Sequence, residues 1–255
     1  MTDVQKELLR LLSKVLFQNN TIDAATEEIL REAKTQAVST LISPDYSALA
    51  ANIRVVHAHA ELTELLKDIP FTTFKGYASA YYYPIPTRRV MGDVDFIVSK
   101  SYFQRTTELL VANGWKEVKE KHSRHTSLFK GNINFELHHE IKGIPNGVDG
   151  IATSNDSSED ITRSMLANLI ETSRSVETQQ GAVIIPDDFH HGLIMLLHVA
   201  SHMINDGGIG LRHLCDWAVY VNRVDMEKYR PQLESAGLWV FACQLTAVCT
   251  AVYSA

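Results

Sequence analysis

The sequence predicts an α+β fold, a small mixed sheet with helical segments on both sides. Three observations predict it. The first part of the chain repeats apolar residues at helical steps and shows no strand pattern. Residues 71–139 switch to short alternating runs rich in β-branched and aromatic residues. From Pro186 onward the helical period returns. The expected organisation is a helical segment at 1–68, an α+β core at 69–142, a loop, short helix and hairpin at 143–185, and a helical segment at 186–255.

Each element has its own signal. Val4, Leu8, Leu9, Leu11, Leu12, Val15 and Leu16 share one face of an amphipathic helix over 4–17. Residues 22–38 form a second predicted helix. The third, over 45–67, carries Leu49, Ile53, Val56 and Ala60 at three- and four-residue steps, and Pro70 closes it. His57 and His59 fall on different faces of it, which argues against a shared ligand role. A strand at 71–75 leads to a short helix at 77–82 and a Pro-broken loop with Arg88 and Arg89. A strand at 93–98 is followed by a helix at 101–113 that stops at Asn113-Gly114. Three strands follow at 115–119, 126–130 and 132–139, the last two joined at Gly131-Asn132, so the core reads as a small sheet with helices on one face. The polar stretch 143–160 reads as a loop or lid, 161–171 as a helix and 174–185 as a hairpin. Pro186 and Asp187 open a helix to about 204, with acids favoured in its first turn. NDGGIG breaks the chain at 205–210. A helix at 211–222 and two more within 226–254 complete it.

Composition narrows the function classes. The 255 residues are 45% hydrophobic and 21% charged, an ordinary globular mixture. A net charge of −6 supplies no global basic field for nucleic acid, although KEVKEKHSRH at 116–125 is locally basic. Cys215, Cys243 and Cys249 lack C-x-x-C spacing and read as reduced thiols, so a cytoplasmic protein is expected. No apolar run reaches membrane-spanning length, and the N-terminus lacks the apolar core of a signal peptide.

The chemistry concentrates between residues 71 and 98. Asp93 and Asp95 lie two apart on a predicted strand, so their carboxylates project side by side while Val94 and Phe96 turn to the core. Two adjacent anions need positive charge between them, and a divalent cation that prefers oxygen, Mg²⁺ above all with Mn²⁺ as the alternative, supplies it. Upstream, Lys75 and Gly76 join a strand to a small-residue segment, a place where backbone N–H groups meet phosphate, and Arg89 adds a cation. Glu136 and His138 share one face of the strand 132–139. If that strand lies beside the Asp93 strand, Glu136 completes a metal site. Paired carboxylates on metal suit phosphoryl and nucleotidyl transfer. On the long late helix, His198 and His202 are four apart and share a face, but HVASH lacks the Glu of a zinc-protease motif. These histidines read as core or nucleotide-facing groups. With Arg212 they are expected to reach the cleft from the side opposite Asp93 and Asp95, and the alternative is that they only stitch helices together, with Arg212 and Asp216 pairing at the surface.

The ordered set Lys75-Gly76, Tyr83-Pro84-Ile85-Pro86, Arg89 and Asp93-Val94-Asp95-Phe96-Ile97-Val98 resembles the uncharacterised bacterial nucleotidyltransferases of the polymerase-beta-like superfamily. Glu136 with His138, and Leu211-Arg212 with Asp216, extend the resemblance over about residues 50–220. It implies a nucleotidyltransferase core in which Asp93, Asp95 and Glu136 are catalytic and metal-binding. Lys75, Gly76, Ser79, Arg89 and Arg212 would bind the nucleoside triphosphate, and the acceptor would be a small molecule, a protein or an RNA end. The chain departs from the superfamily where Tyr77, not Ser, follows Gly76, leaving Lys75 or Ser79 to substitute for the missing hydroxyl. That departure keeps two alternatives open: a catalytically inactive nucleotide-binding or partner-docking protein, and a kinase-like phosphotransferase. Similar proteins also continue beyond AVYSA, so a shortened C-terminus is expected.

Overall fold

In the computed structural model, residues 1–18, 25–43, 45–118, 125–141, 156–205 and 207–253 are described. The lid expected at 143–160 lies largely outside them, as do most of the basic stretch 116–125 and the last two residues.

The chain opens with α1 (Asp3–Ser13), fixed by a reciprocal cap. The Thr2 hydroxyl accepts the Gln5 N–H, and the Gln5 side chain accepts the Thr2 N–H. Then come α2 (Glu27–Thr35), α3 (Ser39–Ile42) and α4 (Tyr46–Leu65), the last capped by Asp45. The core follows as β1 (Phe71–Phe74), α5 (Gly76–Ala80), β2 (Val94–Val98), α6 (Phe103–Ala112), β3 (Lys116–Val118), β4 (His125–Lys130) and β5 (Ile133–His138). After it come α7 (Asp156–Met165), β6 (Arg174–Thr178), β7 (Gly181–Ile185), α8 (Asp188–Asn205), α9 (Leu211–Val221), α10 (Arg230–Ser235) and α11 (Trp239–Tyr253).

The five-stranded sheet runs β1-β2-β5-β4-β3, with β2 and β5 parallel and the other pairs antiparallel. It is the mixed sheet the sequence predicts. Gly131 takes φ +58 at the β4–β5 turn, a conformation that suits a residue without Cβ. The β6–β7 hairpin is a separate two-stranded sheet that packs beside β1, where the Thr73 hydroxyl donates to the Ile184 carbonyl at 2.6 Å.

Two large apolar cores and one small cluster hold the described residues together. One joins Val55, Val56, Leu62 and Leu66 to the sheet face of Val94, Phe96, Leu128, Phe135 and Leu137, with Leu110 of α6 and Val183 and Ile185 of β7. Thus α4 packs with the sheet rather than with the helices before it. The other core joins α1, α2 and α3 to α8, α9, α10 and α11 around Leu12, Leu196, Trp217 and Tyr220. The expectation of helices on one face holds for α4 and α6 but needs correction. The opposite face, through Phe74 and Ile97, meets Ile194 of α8. That contact brings the late helices over the strands that carry the carboxylates. A second correction concerns α7, which begins at Asp156 rather than 161. Its polar SSED run reads as loop by composition, yet Ser and acidic residues are favoured in a first helical turn.

Candidate active site

Register places the carboxylates together. In the parallel β2–β5 pair Asp95 stands opposite Glu136, and in the antiparallel β1–β2 pair it stands opposite Phe74. Alternation along β2 sends Val94 and Phe96 into the core and Asp95 to the other face, with Asp93 just ahead of the strand on the same side. Asp95 is buried, and its Oδ1 accepts from Lys75 Nζ and His138 Nε2, each at 2.8 Å. Burial alone raises the Asp95 pKa, but the His138 and Lys75 contacts outweigh it and hold the group below its ordinary value. Asp93 moves the other way. Burial first, and then the charges of Glu136 and Asp95, raise it. Glu136 accepts from Asn134 at 3.2 Å and lies 3.4 Å from His138 and 3.7 Å from His125. Burial disfavours the His138 imidazolium, yet hydrogen bonds to Asp95 and Glu136 raise its pKa overall.

The strand-to-helix corner is strained. Lys75 has φ +57, rare for a residue with a side chain, and Gly76 has φ +22. A Cβ on Gly76 would lie 3.3 Å from His59 Nε2 and 3.4 Å from the Asp93 carbonyl oxygen. Only a bare backbone passes comfortably between them. His59 is fully buried behind this corner, and burial pushes its pKa down to about 4. The five-residue α5 then buries Ser79 at the wall of the cleft.

Arg89 corrects one expectation. It lines the cleft, but its guanidinium is engaged by protein. Nε and Nη2 donate to the two Asp216 oxygens at 2.7 Å each, and Nη1 donates to the Gly76 and Val90 carbonyls at 3.1 Å. Tyr83 donates to Asp216 at 2.8 Å as well. Asp216 therefore pairs with Arg89 in the interior, not with Arg212 at the surface. Burial raises its pKa, and Arg89 and Tyr83 outweigh that and hold it low. The pair ties the Gly76 corner to α9. Arg212 is half-buried in the cleft wall and makes no ion pair among the described residues.

The resulting cleft is about 260 Å³. Lys75, Gly76, Ser79, Asp93, Asp95 and Glu136 form one side. His198 and His202 of α8, with Arg212 and His213 of α9, form the other. The late helices thus reach the carboxylate cleft, as the sequence suggests. His191 and His213 also line it, and the sequence reading missed both. For His213 the only signal is its place directly after Arg212; for His191, burial against Tyr82 is a tertiary fact with no local signature.

Donor chemistry fits a hard divalent cation. Asp93, Asp95 and Glu136 present carboxylate oxygens on one face, the donor set such ions prefer. Both protein contacts of Asp95 fall on Oδ1.

No curated protein is significantly similar to the sequence. Solved structures that resemble the fold at low identity include the following two. ANT(2″)-Ia in complex with adenylyl-2″-tobramycin is 10% identical, with a TM-score of 0.44 over 79% of this chain and 98% of its own. An antigenic nucleotidyltransferase-like protein from Paracoccidioides brasiliensis is 14% identical, with a TM-score of 0.38 over 81% and 98%. At the level of sequence, residues 36–254 match the family described as uncharacterised nucleotidyltransferase. That match takes in the strained corner, all three carboxylates and both late helices of the cleft, and the chain belongs to this family.

Proposed function

We propose that the protein is a metal-dependent nucleotidyltransferase. An acceptor oxygen attacks the α-phosphorus of a nucleoside triphosphate, the bond to the bridging oxygen breaks, and pyrophosphate leaves. The observation that supports this reading most is the convergence of Asp93 just ahead of β2, Asp95 on β2 and Glu136 on the adjacent β5 on one cleft whose opposite wall is cationic at Arg212. Asp93, Asp95 and Glu136 would hold Mg²⁺, or Mn²⁺ in its place, and that ion supplies charge neutralisation at the reacting phosphate. Lys75 and Arg212 would neutralise the triphosphate, with the Gly76 backbone and the Ser79 hydroxyl beside them. Arg89 acts as a positioning residue, because it holds the Gly76 carbonyl and Asp216 rather than facing substrate.

A second reading has its own observation. Asp95 already accepts from Lys75 and His138, and Tyr77 stands where the superfamily carries a serine, which together favour a non-catalytic nucleotide-binding protein. Product analysis separates the readings. Nucleotidylated acceptor with pyrophosphate supports transfer of the nucleoside monophosphate. Nucleoside diphosphate with a phosphorylated product means kinase-like chemistry, and intact nucleotide that is bound but unchanged means a binding protein.

A further inference from the structure

We propose that His198, His202 and His213 form a second metal site, for a zinc-class transition ion, on the cleft wall facing the carboxylates. The inference does not depend on which reaction the cleft performs. His198 and His202 are one turn apart on α8, with ring centroids at 4.4 Å. His213, in the first turn of α9, brings a third ring to 5.5 Å and 5.0 Å from them. One ligand nitrogen from each lies within 4.8 Å of the others. A tetrahedral zinc ion with bonds of about 2.0–2.1 Å needs nitrogens about 3.4 Å apart, so the three rings must close in on the ion as it binds.

Donor type separates this site from the carboxylates. Three imidazoles and no oxygen ligand suit zinc, cobalt, nickel or copper and not magnesium. Three protein ligands also leave a position open, and here the open side is the cleft, since all three histidines line it. Such an ion would add to Arg212 and take an anionic oxygen of whatever occupies the cleft. Binding has a cost at His213. Its Nδ1 accepts the Gly210 N–H at 3.3 Å, a long bond that must be released if the ring changes tautomer to coordinate. Gly207, Gly208 and Gly210 make the connecting backbone able to follow.

The test uses tag-free, chelator-treated full-length protein titrated with Co²⁺, whose visible absorption reports its coordination, and then with Zn²⁺ as competitor. The expected result is one Co²⁺ per chain with a visible spectrum, displaced by Zn²⁺ and not by millimolar-range Mg²⁺. His202→Gln and His213→Gln should each weaken Co²⁺ binding about tenfold or more. Asp95→Asn and His125→Gln should leave it unchanged. Circular dichroism and a melting curve identify a variant that has not folded. His202 is only half-buried, so its replacement tests the site if the others fail. Absent binding in the wild type overturns the proposal, as does unaltered affinity in folded His202→Gln. Binding lost with Asp95→Asn or His125→Gln also overturns it, because the ion would then sit on the carboxylate side, among Asp93, Asp95 and Glu136 in the first case or among His125, Glu136 and His138 in the second.

Discussion

Replacing Asp216 by Asn should cost about 3–5 kcal/mol of stability, the usual penalty for stranding one partner of a buried ion pair. The structure supplies the reason. Arg89 is 6% exposed, and Asp216 takes both its Nε and Nη2 at 2.7 Å. Asparagine keeps one acceptor oxygen but no charge, and its NH2 faces one of the two guanidinium donors, so Arg89 is left a buried cation held by neutral acceptors, the Gly76 and Val90 carbonyls among them. For a chain of this size the penalty corresponds to a fall of roughly 6–20 °C in melting temperature. Urea unfolding followed by circular dichroism gives the free energy directly. The double change Arg89→Met with Asp216→Leu should recover much of the loss, because it removes the uncompensated charge with its partner. The pH dependence has a definite sign. Asp216 is held below its ordinary value of 3.8, so its contribution is present above that pH and lost as pH falls through the folded value. A fall under about 2 °C in Asp216→Asn, or a double variant no more stable than the single, would refute the assignment of Arg89 to the interior.

Three further outcomes are expected. Gly192→Ala on α8 should destabilise the protein by about 1–3 kcal/mol by urea unfolding, since its new methyl would lie inside the Tyr220 phenol, which donates to the Asp188 carbonyl at 2.7 Å. Glu136→Gln should lower the Asp93 pKa measured by NMR, because the Glu136 charge is the largest contribution after burial to its upward shift. In metal-free protein, the stability that His138 contributes should be complete below its ordinary value of 6.5 and lost as pH rises through its elevated folded value, a trend that His138→Gln abolishes in thermal melts.

Much of this site was legible in the sequence, for local reasons. The period of two along DVDFIV and INFELH fixes which side chains share a face, so Asp95 and Glu136 meet once their strands pair. The resemblance carried by Lys75-Gly76 and the acidic pair pointed the same way. What the sequence hid is tertiary. Arg89 and Asp216 are 127 residues apart, and nothing in their local pattern says that they bond to each other. Arg212, four residues from Asp216, is the obvious partner by spacing, and burial of Asp216 toward the core overrides it. His213 has no spacing signature, because ligand spacing along one helix does not include an imidazole that the next helix brings. The placement of α4 against the sheet was equally unreadable, since an apolar face shows that a helix packs without showing on what.

The central claim is that Asp93 and Asp95 hold the cation that a bound nucleoside triphosphate requires. It is tested most directly by thermal unfolding of wild type and of Asp93→Asn with Asp95→Asn, each with nucleoside triphosphates, with and without Mg²⁺. At about one hundred times the dissociation constant, a ligand bound only to folded protein adds about 2.7 kcal/mol, or roughly 5–11 °C here. That shift is expected in the wild type only when Mg²⁺ and nucleotide are both present, and it is lost in the double variant. An equal shift in the double variant, or one that ignores Mg²⁺, would contradict it.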